Sequence, residues 1–572
     1  MATKKQFYPV REIKDLRDLI NQSAKLYADR PAFEVKTKSG ELYQITYKQY
    51  HEDIRALGTA LVDMGLSGEK IAVSGDNCYD WCRSYMATVT GVGVIVPIDK
   101  ELLFDDINMI LNVSDVKLFF CDKKIARKLE ERKDELKKDL TIVMMHTQKE
   151  EGVLHIDDLV EKGKKLLADG DTRYLDATID PNAMCSLLFT SGTTGMSKGV
   201  MLCHRNFCYE VMAAMGILKI YPEDCGISLL PLHHTYESTI ILFFASYCGA
   251  KVTFCDGFKY VLKNMKEFSP SVFVAVPLLL ETVHRRLMKA VANKPHGLTL
   301  FKVGSVLVKA ASKVGIDLKK VFFKEIIDTF GGNMRLIICG AAPINPQILK
   351  DFEAFGIQIL QGYGLTECAP LAMLNHDRLH LAESVGEIIP GSEAKILNPD
   401  ENGVGEILLK GDMVMLGYYQ NPEETAKVID KEGWFHTGDL GYVNSKGHYY
   451  ITGRCKNVIV TSNGKNIYPE ELEYHLGMDI RVGECLVLAD TNKKGEVIVG
   501  ARIFPNFEEL KERYGKDEKD FTDEELHAIF KEVVDAVNAK LPPFKSILNF
   551  KVRRTEFVKT TTSKIMRHKN TD

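Results

Sequence analysis

Apolar positions along this chain switch repeatedly between helical and strand spacing. From Glu12 to Tyr27, Ile13, Leu16, Leu19, Ile20 and Tyr27 recur with a helical period, and a short strand pair follows around Phe33 and from Leu42 to Tyr47. Thr46 then caps a second helix carrying Tyr50, Ile54, Leu57 and Leu61, which Gly65 ends. After it the pattern alternates: strand Ile71 to Val73, helix Tyr79 to Thr90, strand Val92 to Ile98, helix Asp105 to Asn112, strand Val116 to Phe120. This is βαβ grammar, which predicts a parallel sheet covered on both faces. It resumes with strands Met184 to Phe189 and Ile227 to Leu230, a helix from Ser238 to Tyr247, and strands Lys251 to Phe254, Ser271 to Val276, Arg335 to Cys339 and Gln358 to Leu360.

From Ser384 to Tyr419 short strands punctuated by glycine predict a small antiparallel or barrel-like section. A boundary is expected near Gly453 to Asn457, giving a large domain 1–455 and a small α/β domain 456–572 with a charged helical stretch from Phe507 to Ala539. The fold class is therefore α/β, with doubly wound sheets and a β-barrel-like section in the large N-terminal domain.

Composition narrows the partners. At 572 residues the chain exceeds what one core organises, and a net charge of −4 gives no sign of a nucleic-acid partner. Thirteen cysteines lack paired metal spacing and read as buried reduced thiols, which points to a cytoplasmic protein. The N-terminal stretch has no secretory h-region, and the apolar run Ile240 to Tyr247 is too short to span a bilayer, so membrane contact is expected to be peripheral at most. The Lys- and Glu-rich stretch from Lys123 to Lys138 reads as a solvated helix.

The chemistry begins at Leu187 to Val200, LLFTSGTTGMSKGV. An apolar run ends in small hydroxylated residues and glycines, then one lysine, Lys198, and then an apolar and soon helical pattern. Glycines let the backbone approach an anion, Ser191, Thr193 and Thr194 offer donors, and Lys198 adds a positive charge. The spacing is not that of a Walker A loop. Four further clusters accompany it. Gln361 to Glu367, QGYGLTE, offers an aromatic ring, a hydroxyl and a carboxylate able to stack a base, bind a phosphate and hold a hard cation. Trp434 to Asp439, WFHTGD, ends in a carboxylate suited to ribose hydroxyls. Thr452 to Lys456, TGRCK, places a guanidinium, and Thr560 to Arg567, TTTSKIMR, supplies a distant lysine. Several clusters follow directly on a strand, the edge where open α/β sheets bind ligands.

These motifs, with PLHHTYE at 231 to 237 and CGAAP at 339 to 343, resemble the adenylate-forming enzymes, which include acyl-CoA synthetases, luciferase and peptide-synthetase adenylation domains. The resemblance runs from about residue 10 to residue 568 and implies two half-reactions. A carboxylate attacks the α-phosphorus of ATP to give acyl-AMP and pyrophosphate, and a thiol then displaces AMP. By this resemblance the loop Thr190 to Lys198, with Ser191, Gly192, Thr193, Thr194 and Gly195, holds the β- and γ-phosphates, and Thr190 and Glu367 bind Mg²⁺. Thr366 contacts the α-phosphate. Tyr363, between Gly362 and Gly364, stacks on adenine near Gly340, Ala341 and Ala342. Asp439 and Arg454 hold the ribose. Lys564 bridges carboxylate and α-phosphate, His234 is the gating histidine, Lys456 is the hinge of a mobile C-terminal domain, and Gly464 leaves room in the CoA channel.

Three departures from the family pattern stand out. Ser563 replaces the usual glycine before the tail lysine, the fourth motif carries both His233 and His234, and the 91–100 region lacks the proline or asparagine that follows its aspartate. Within the family, PLHHTYE and the segment Phe301 to Asn333 lean toward long-chain fatty acids, although that segment also reads as an amphipathic helical pair packed on the large domain. Each buried methylene is worth about 0.8 kcal/mol, so a pocket deep enough for roughly eight more methylenes separates acids by about 6 kcal/mol. The expected substrates are fatty acid, ATP and CoA. An acyl carrier protein is the alternative acceptor, a medium-chain or other acid the alternative substrate, and a homodimer is left open.

Overall fold

The computed structural model describes residues 6–37, 39–146, 149–190, 198–312, 318–460, 465–492, 495–559 and 565–571. They form two compact units: one of residues up to 394 with 409–435, the other of 395–408 with 436 onward.

Among the described residues the first unit holds a nine-stranded and a seven-stranded sheet. The centre of the nine-stranded sheet is parallel: Gln358–Tyr363, Leu336–Cys339, Val272–Ala275, Cys225–Ser228, Lys251–Phe254 and Pro31–Lys36 run side by side. Antiparallel strands close both edges, Leu42–Thr46 at one and Met373–Leu374 with Glu387–Ile388 at the other. The seven-stranded sheet is parallel through Thr141–Met144, Val116–Cys121, Lys70–Ser74, Val94–Pro97 and Met184–Thr190. The wholly apolar central runs fit this placement: Leu336–Cys339 and Val272–Ala275 are buried along their whole length, as strands covered on both faces must be.

The local signals read from the chain act where expected. Thr46 caps helix Tyr47–Asp63 in a reciprocal capping box with Gln49, and Gly65 lies beyond the helix end with φ near 81°. The helix expected from Ser238 to Tyr247 starts earlier, at Thr235, and contains a π-helical stretch, Thr239–Phe244, before ending at Cys248. Strand Lys198–Cys203 was not anticipated. It intervenes between the glycine-rich segment and helix His204–Met215, because Val200, Leu202 and Cys203 find burial by pairing back on Met184–Thr190.

The short strands expected between Ser384 and Tyr419 distribute among three sheets. Glu387–Ile388 extends the nine-stranded sheet, and Gly417–Tyr418 edges the seven-stranded one. Glu393–Leu397 and Gly405–Lys410 join Phe435–Val443 and Tyr449–Arg454 in a four-stranded sheet. Residues 436–455 therefore group with the C-terminal part, so the compact second unit begins ahead of the 455/456 boundary read from the chain.

The rest of the second unit is a three-stranded sheet, Val482–Thr491, Val497–Pro505 and Asn549–Val552, covered by helices that include Pro469–Gly477 and Asp523–Asn538. Its core is built on Leu472, Val487, Ile503, Phe530 and Val533. The charged stretch from Phe507 resolves into two helices, Phe507–Tyr514 and Asp523–Asn538, separated at Gly515. Ten of the thirteen cysteines are buried, and all are free thiols, consistent with apolar packing.

One close approach is demanding. A Cβ on Gly163, in helix Ile156–Ala168, would lie 1.7 Å from the Ala56 carbonyl oxygen of helix Tyr47–Asp63. Gly163→Ala is expected to lower stability by about 1–3 kcal/mol through forced separation of the two helices, read as a reduced midpoint in urea unfolding.

Candidate active site

The glycine-rich segment lies between two antiparallel strands, whose last pair is Thr190 opposite Lys198. Ser191, Gly192, Thr193, Thr194 and Gly195 lie outside the described residues, but both ends that carry them are fixed. Thr190 and Lys198 are partly buried, and the Thr190 hydroxyl faces the Lys198 carbonyl at 3.5 Å.

A third strand holds the lysine end. Gly417–Tyr418 pairs antiparallel with Val200 and Met201, and the Tyr419 amide donates to the Gly199 carbonyl at 2.7 Å. This pairing puts the Tyr418 ring 4.9 Å from the Lys198 ammonium, a cation–π contact. The Tyr418 hydroxyl donates to Glu367 Oε1 at 3.0 Å, and the Met415 amide donates to the Glu367 carbonyl at 2.8 Å. Burial and then the Glu367 charge raise the Tyr418 phenol, so it stays a donor at neutral pH. Lys198 Nζ also pairs with Glu424 Oε2 at 2.6 Å. Hydrogen bonds from Lys198 and then Lys427 hold the Glu424 carboxyl down to about 2. Lys198 and Glu367, separated in sequence, are thus linked through the ring and hydroxyl of one tyrosine.

Tyr418 and Glu424 were not singled out from the chain. A signal for Glu424 exists in Asn421-Pro422-Glu423-Glu424, an N-cap followed by proline and an acidic first turn. The Asn421 side chain accepts from the Glu424 amide at 3.1 Å and starts helix Pro422–Val428. Tyr418 carries no such signal, since its role arises from sheet pairing alone.

The GYGLTE cluster begins in strand Gln358–Tyr363 and ends in the turn Thr366–Cys368, with Tyr363, Thr366 and Glu367 partly exposed. Gly362 and Gly364 are required by close packing. A Cβ on Gly364 would sit 1.7 Å from the Pro370 carbonyl oxygen, and one on Gly362 3.2 Å from Leu374. Cys339 pairs with Gln361 in the parallel register, so Gly340 emerges beside Gly362 at the same sheet edge. Ala341 takes a left-handed backbone, φ near 75°, and Ala341 and Ala342 are exposed there. A non-glycine residue held at positive φ stores strain of about 1–3 kcal/mol, a feature common in ligand clamps. Tyr236, from the PLHHTYE motif, donates to the Ile338 carbonyl at 3.0 Å and packs against Gly340.

His234 precedes helix Thr235–Ser238 at its N-cap position, its ring 4.1 Å from that of His233. His233 Nε2 faces Asp99 at 3.6 Å, and burial followed by the neighbouring His234 pushes His233 down to about 3. Two fully buried carboxyls support this region. Glu237 Oε1 accepts from the Ser228 hydroxyl at 2.8 Å and the Leu229 amide at 2.9 Å. Asn77 donates to Ser228 and to the Leu230 carbonyl and accepts from the Leu232 amide, so this chain of bonds fixes the backbone leading to His233 and His234. Glu210 accepts from the Leu371 amide at 2.6 Å and fixes the chain just beyond GYGLTE. Burial raises both carboxyls well above the usual carboxylate range, Glu237 to about 8, and so favours their protonated forms.

The ribose candidates lie in the second unit. Asp439 and Arg454 face each other across an antiparallel pair, with Arg454 Nε 2.7 Å from Asp439 Oδ1, and Asp439 is buried. The Asp439 amide donates to the Thr437 hydroxyl, which donates to the Ile407 carbonyl. Lys456 is exposed in the turn Cys455–Asn457. Gly464 and Lys564 lie outside the described residues. The flanks of Lys564 are secured: Lys559 bridges to Ile565, Arg567 forms a double contact with Glu473 at 2.6 and 2.7 Å, and Asn570 bonds both the Val558 and Met566 backbones.

Among the described residues no group of three or more His, Cys, Asp or Glu forms a metal cage. The donor set instead suits magnesium bound largely through substrate phosphates. Such an ion needs only one or two hard oxygen ligands from protein, and the Glu367 carboxylate and Thr190 hydroxyl are of that type.

Strand edges carrying glycine approaches, a fixed lysine and a hard carboxylate define a nucleotide-binding α/β enzyme. The chain belongs to the AMP-binding enzyme family, whose model matches residues 20–419. Fatty acyl-CoA synthetase B of Dictyostelium discoideum is 29% identical over 550 residues, covering 89% of this chain and 79% of that protein. Long-chain-fatty-acid–CoA ligase 5 of Rattus norvegicus is 30% identical over 502 residues, covering 82% and 72%. The chloroplastic long-chain-fatty-acid–[acyl-carrier-protein] ligase AEE15 of Arabidopsis thaliana is 28% identical over 568 residues, covering 87% and 77%. Among solved structures, the anthranilate CoA ligase AuaEII with anthranoyl-AMP shares the fold with a TM-score of 0.77 at 20% identity, covering 98% of this chain and 97% of that one.

The Glu237 environment makes a signed prediction. In the unfolded chain this carboxyl ionises near 4.5, whereas in the fold it holds its proton to about 8. The folded state binds the extra proton between those values, so stability falls as pH rises from about 4.5 to 8. Glu237→Gln mimics the neutral acid and removes this slope. Urea unfolding at pH 5 and pH 8 is expected to show the variant gaining on the parent protein at the higher pH.

Proposed function

We propose that this protein is an AMP-forming acid–thiol ligase that activates a long-chain fatty acid as acyl-AMP and transfers the acyl group to CoA, releasing AMP and pyrophosphate. The observation that carries this reading is the fixed Lys198–Tyr418–Glu367 arrangement beside the glycine-rich strand ends, in a chain whose relatives are fatty acyl ligases.

The first half-reaction brings a carboxylate and a triphosphate together, so its barrier is chiefly electrostatic. Lys198, held by the Tyr418 ring and by Glu424, presents its charge at the end of the segment that would hold the β- and γ-phosphates. Glu367 and Thr190 would hold Mg²⁺, which when bound neutralises phosphate charge. Thr366 would contact the α-phosphate. Tyr363 would stack on adenine above the backbone of Gly340, Ala341 and Ala342, and Asp439 would take the ribose hydroxyls with Arg454 keeping it oriented. His234, beside His233 at the start of helix Thr235–Ser238, would gate the acyl and thiol sites.

Lys564 is the group proposed to bridge the substrate carboxylate and the α-phosphate, on a tail secured at Arg567 and Asn570. Rotation about Lys456 would withdraw it and bring Gly464 to the pantetheine channel, so that one site serves two steps in turn. The carrier-protein relative supports a second acceptor, the phosphopantetheine of an acyl carrier protein.

Two measurements test this reading. Acid-dependent pyrophosphate release from ATP, run from acetate to stearate with CoA and then carrier protein, is expected to peak with a long-chain acid and yield an acyl-CoA by mass. No acid-dependent release would overturn it. Lys564→Ala is expected to lower acyl-AMP formation by at least ~100-fold while leaving thioester formation from supplied acyl-AMP nearly intact. Equal loss of both steps would remove the residue from its assigned role.

A further inference from the structure

Helix Gly297–Ser312 and helix Lys319–Thr329 form a helical pair, as one of the readings of this segment anticipated. One side is packed. Phe301, Val308 and Phe323 join a core with Phe352 and Phe355, and Phe301 and Phe323 lie 5.6 and 5.3 Å from the Phe355 ring.

The outer side has the opposite character to an ordinary solvated helix. Leu300 is 60% exposed, Val303 49%, Val306 67% and Leu307 44%, and Val321 on the second helix is 72% exposed. On an ideal helix the first four fall within an arc of about 120°, away from Phe301 and Val308. Helix Gly297–Ser312 carries no acidic residue at all. Between Arg285 and Lys324 there are ten lysines and arginines against a single Asp317, and although Lys294 pairs with Glu325 and Lys324 with Asp328, the segment keeps a basic excess in a chain whose net charge is −4. An aliphatic ridge thus stands within a strongly basic segment of an acidic protein.

We propose that the outer face of helix Gly297–Ser312, with Val321, docks on an anionic phospholipid bilayer. Valine and leucine enter the acyl boundary while long basic side chains extend to the headgroups, the arrangement of an interfacial amphipathic helix. A second copy of the chain is disfavoured as the occupant, because it would set the same cations against each other. The ridge is also mainly aliphatic and lacks the Trp and Tyr anchors that dominate protein interfaces. Among the described residues no helix is long and apolar enough to cross a membrane, so this contact lies in the plane of the surface.

The test uses the full chain with vesicles of phosphatidylcholine alone and of phosphatidylcholine mixed with phosphatidylglycerol. Co-sedimentation is expected to be about tenfold stronger with the anionic vesicles and to weaken as salt is raised. The double variant Val303→Glu with Val306→Glu is expected to lose at least ~10-fold in vesicle binding, keeping its thermal midpoint and its pyrophosphate release with a soluble short-chain acid. Arg286→Gln with Lys302→Gln, which leaves the ridge intact, is expected to weaken binding and flatten the salt dependence. Failure of the parent protein to sediment with anionic vesicles, or unchanged binding by both variants, would overturn the proposal. So would a dimer in sedimentation velocity that the valine variant dissolves in the absence of vesicle binding. Pyrophosphate release is read separately, so loss of this proposal leaves the ligase reading standing.

Discussion

The position of Lys198 is set by one tyrosine and one carboxylate, Tyr418 and Glu424. Its ammonium lies over the Tyr418 ring, and the Tyr418 hydroxyl is committed to Glu367. A free lysine side chain carries about 2 kcal/mol of rotamer entropy and would sample many positions around an anion. The ring and the Glu424 carboxylate restrict that sampling before any substrate arrives. Electrostatic stabilisation is most effective when the charges are already oriented, because no reorganisation is then required during reaction. Tyr418 is itself held by pairing of a two-residue strand on Val200 and Met201. The edge strand of the seven-stranded sheet therefore fixes Lys198 and Glu367 together.

The same logic explains two acids in places where burial disfavours charge. Glu237 and Glu210 are fully enclosed, and each accepts a backbone amide from a segment bearing site residues. Burial raises both, and a protonated carboxyl keeps acceptor capacity without the desolvation cost of an ionised one. Glu237, Ser228 and Asn77 together fasten the turn that carries His233 and His234, while Glu210 fastens the chain beyond Glu367. Glycine acts from the opposite direction at Gly364, where a side chain would collide with the Pro370 carbonyl. Bonded carboxyls and missing side chains both restrict where the site backbone can lie.

The second unit distributes its own constraints. Asp439 is oriented by Arg454 across an antiparallel pair, and its amide is taken by Thr437. The tail is held at Arg567 by Glu473 and at Asn570 by backbone contacts on both sides of residues 560–564. The residues proposed for the two half-reactions are divided between the units, with Lys198 and Glu367 in the first and Asp439 and Arg454 in the second.

Local patterns were sufficient for much of this. The βαβ alternation, the Thr46 capping box, the helix stop at Gly65 and the strands Arg335 to Cys339 and Gln358 to Leu360 were all legible, because each is decided by neighbours a few residues away. The motif residues were legible as types in a distinctive order, and they indicated the family and its two-step chemistry. Strand Lys198–Cys203, the π-helical stretch in Thr239–Phe244 and the grouping of residues 436–455 with the C-terminal part were not legible. Each depends on pairing or packing with distant segments. The roles of Tyr418 and Glu424 were hidden for the same reason: residues 198, 367, 418 and 424 meet only when a short edge strand docks on a distant hairpin. The chain alone set which chemical groups are present and their order, because these reside in residue identity. Tertiary structure decided which groups touch, which carboxyls lose their charge and which apolar side chains stay exposed, because contact and desolvation exist only in the folded state.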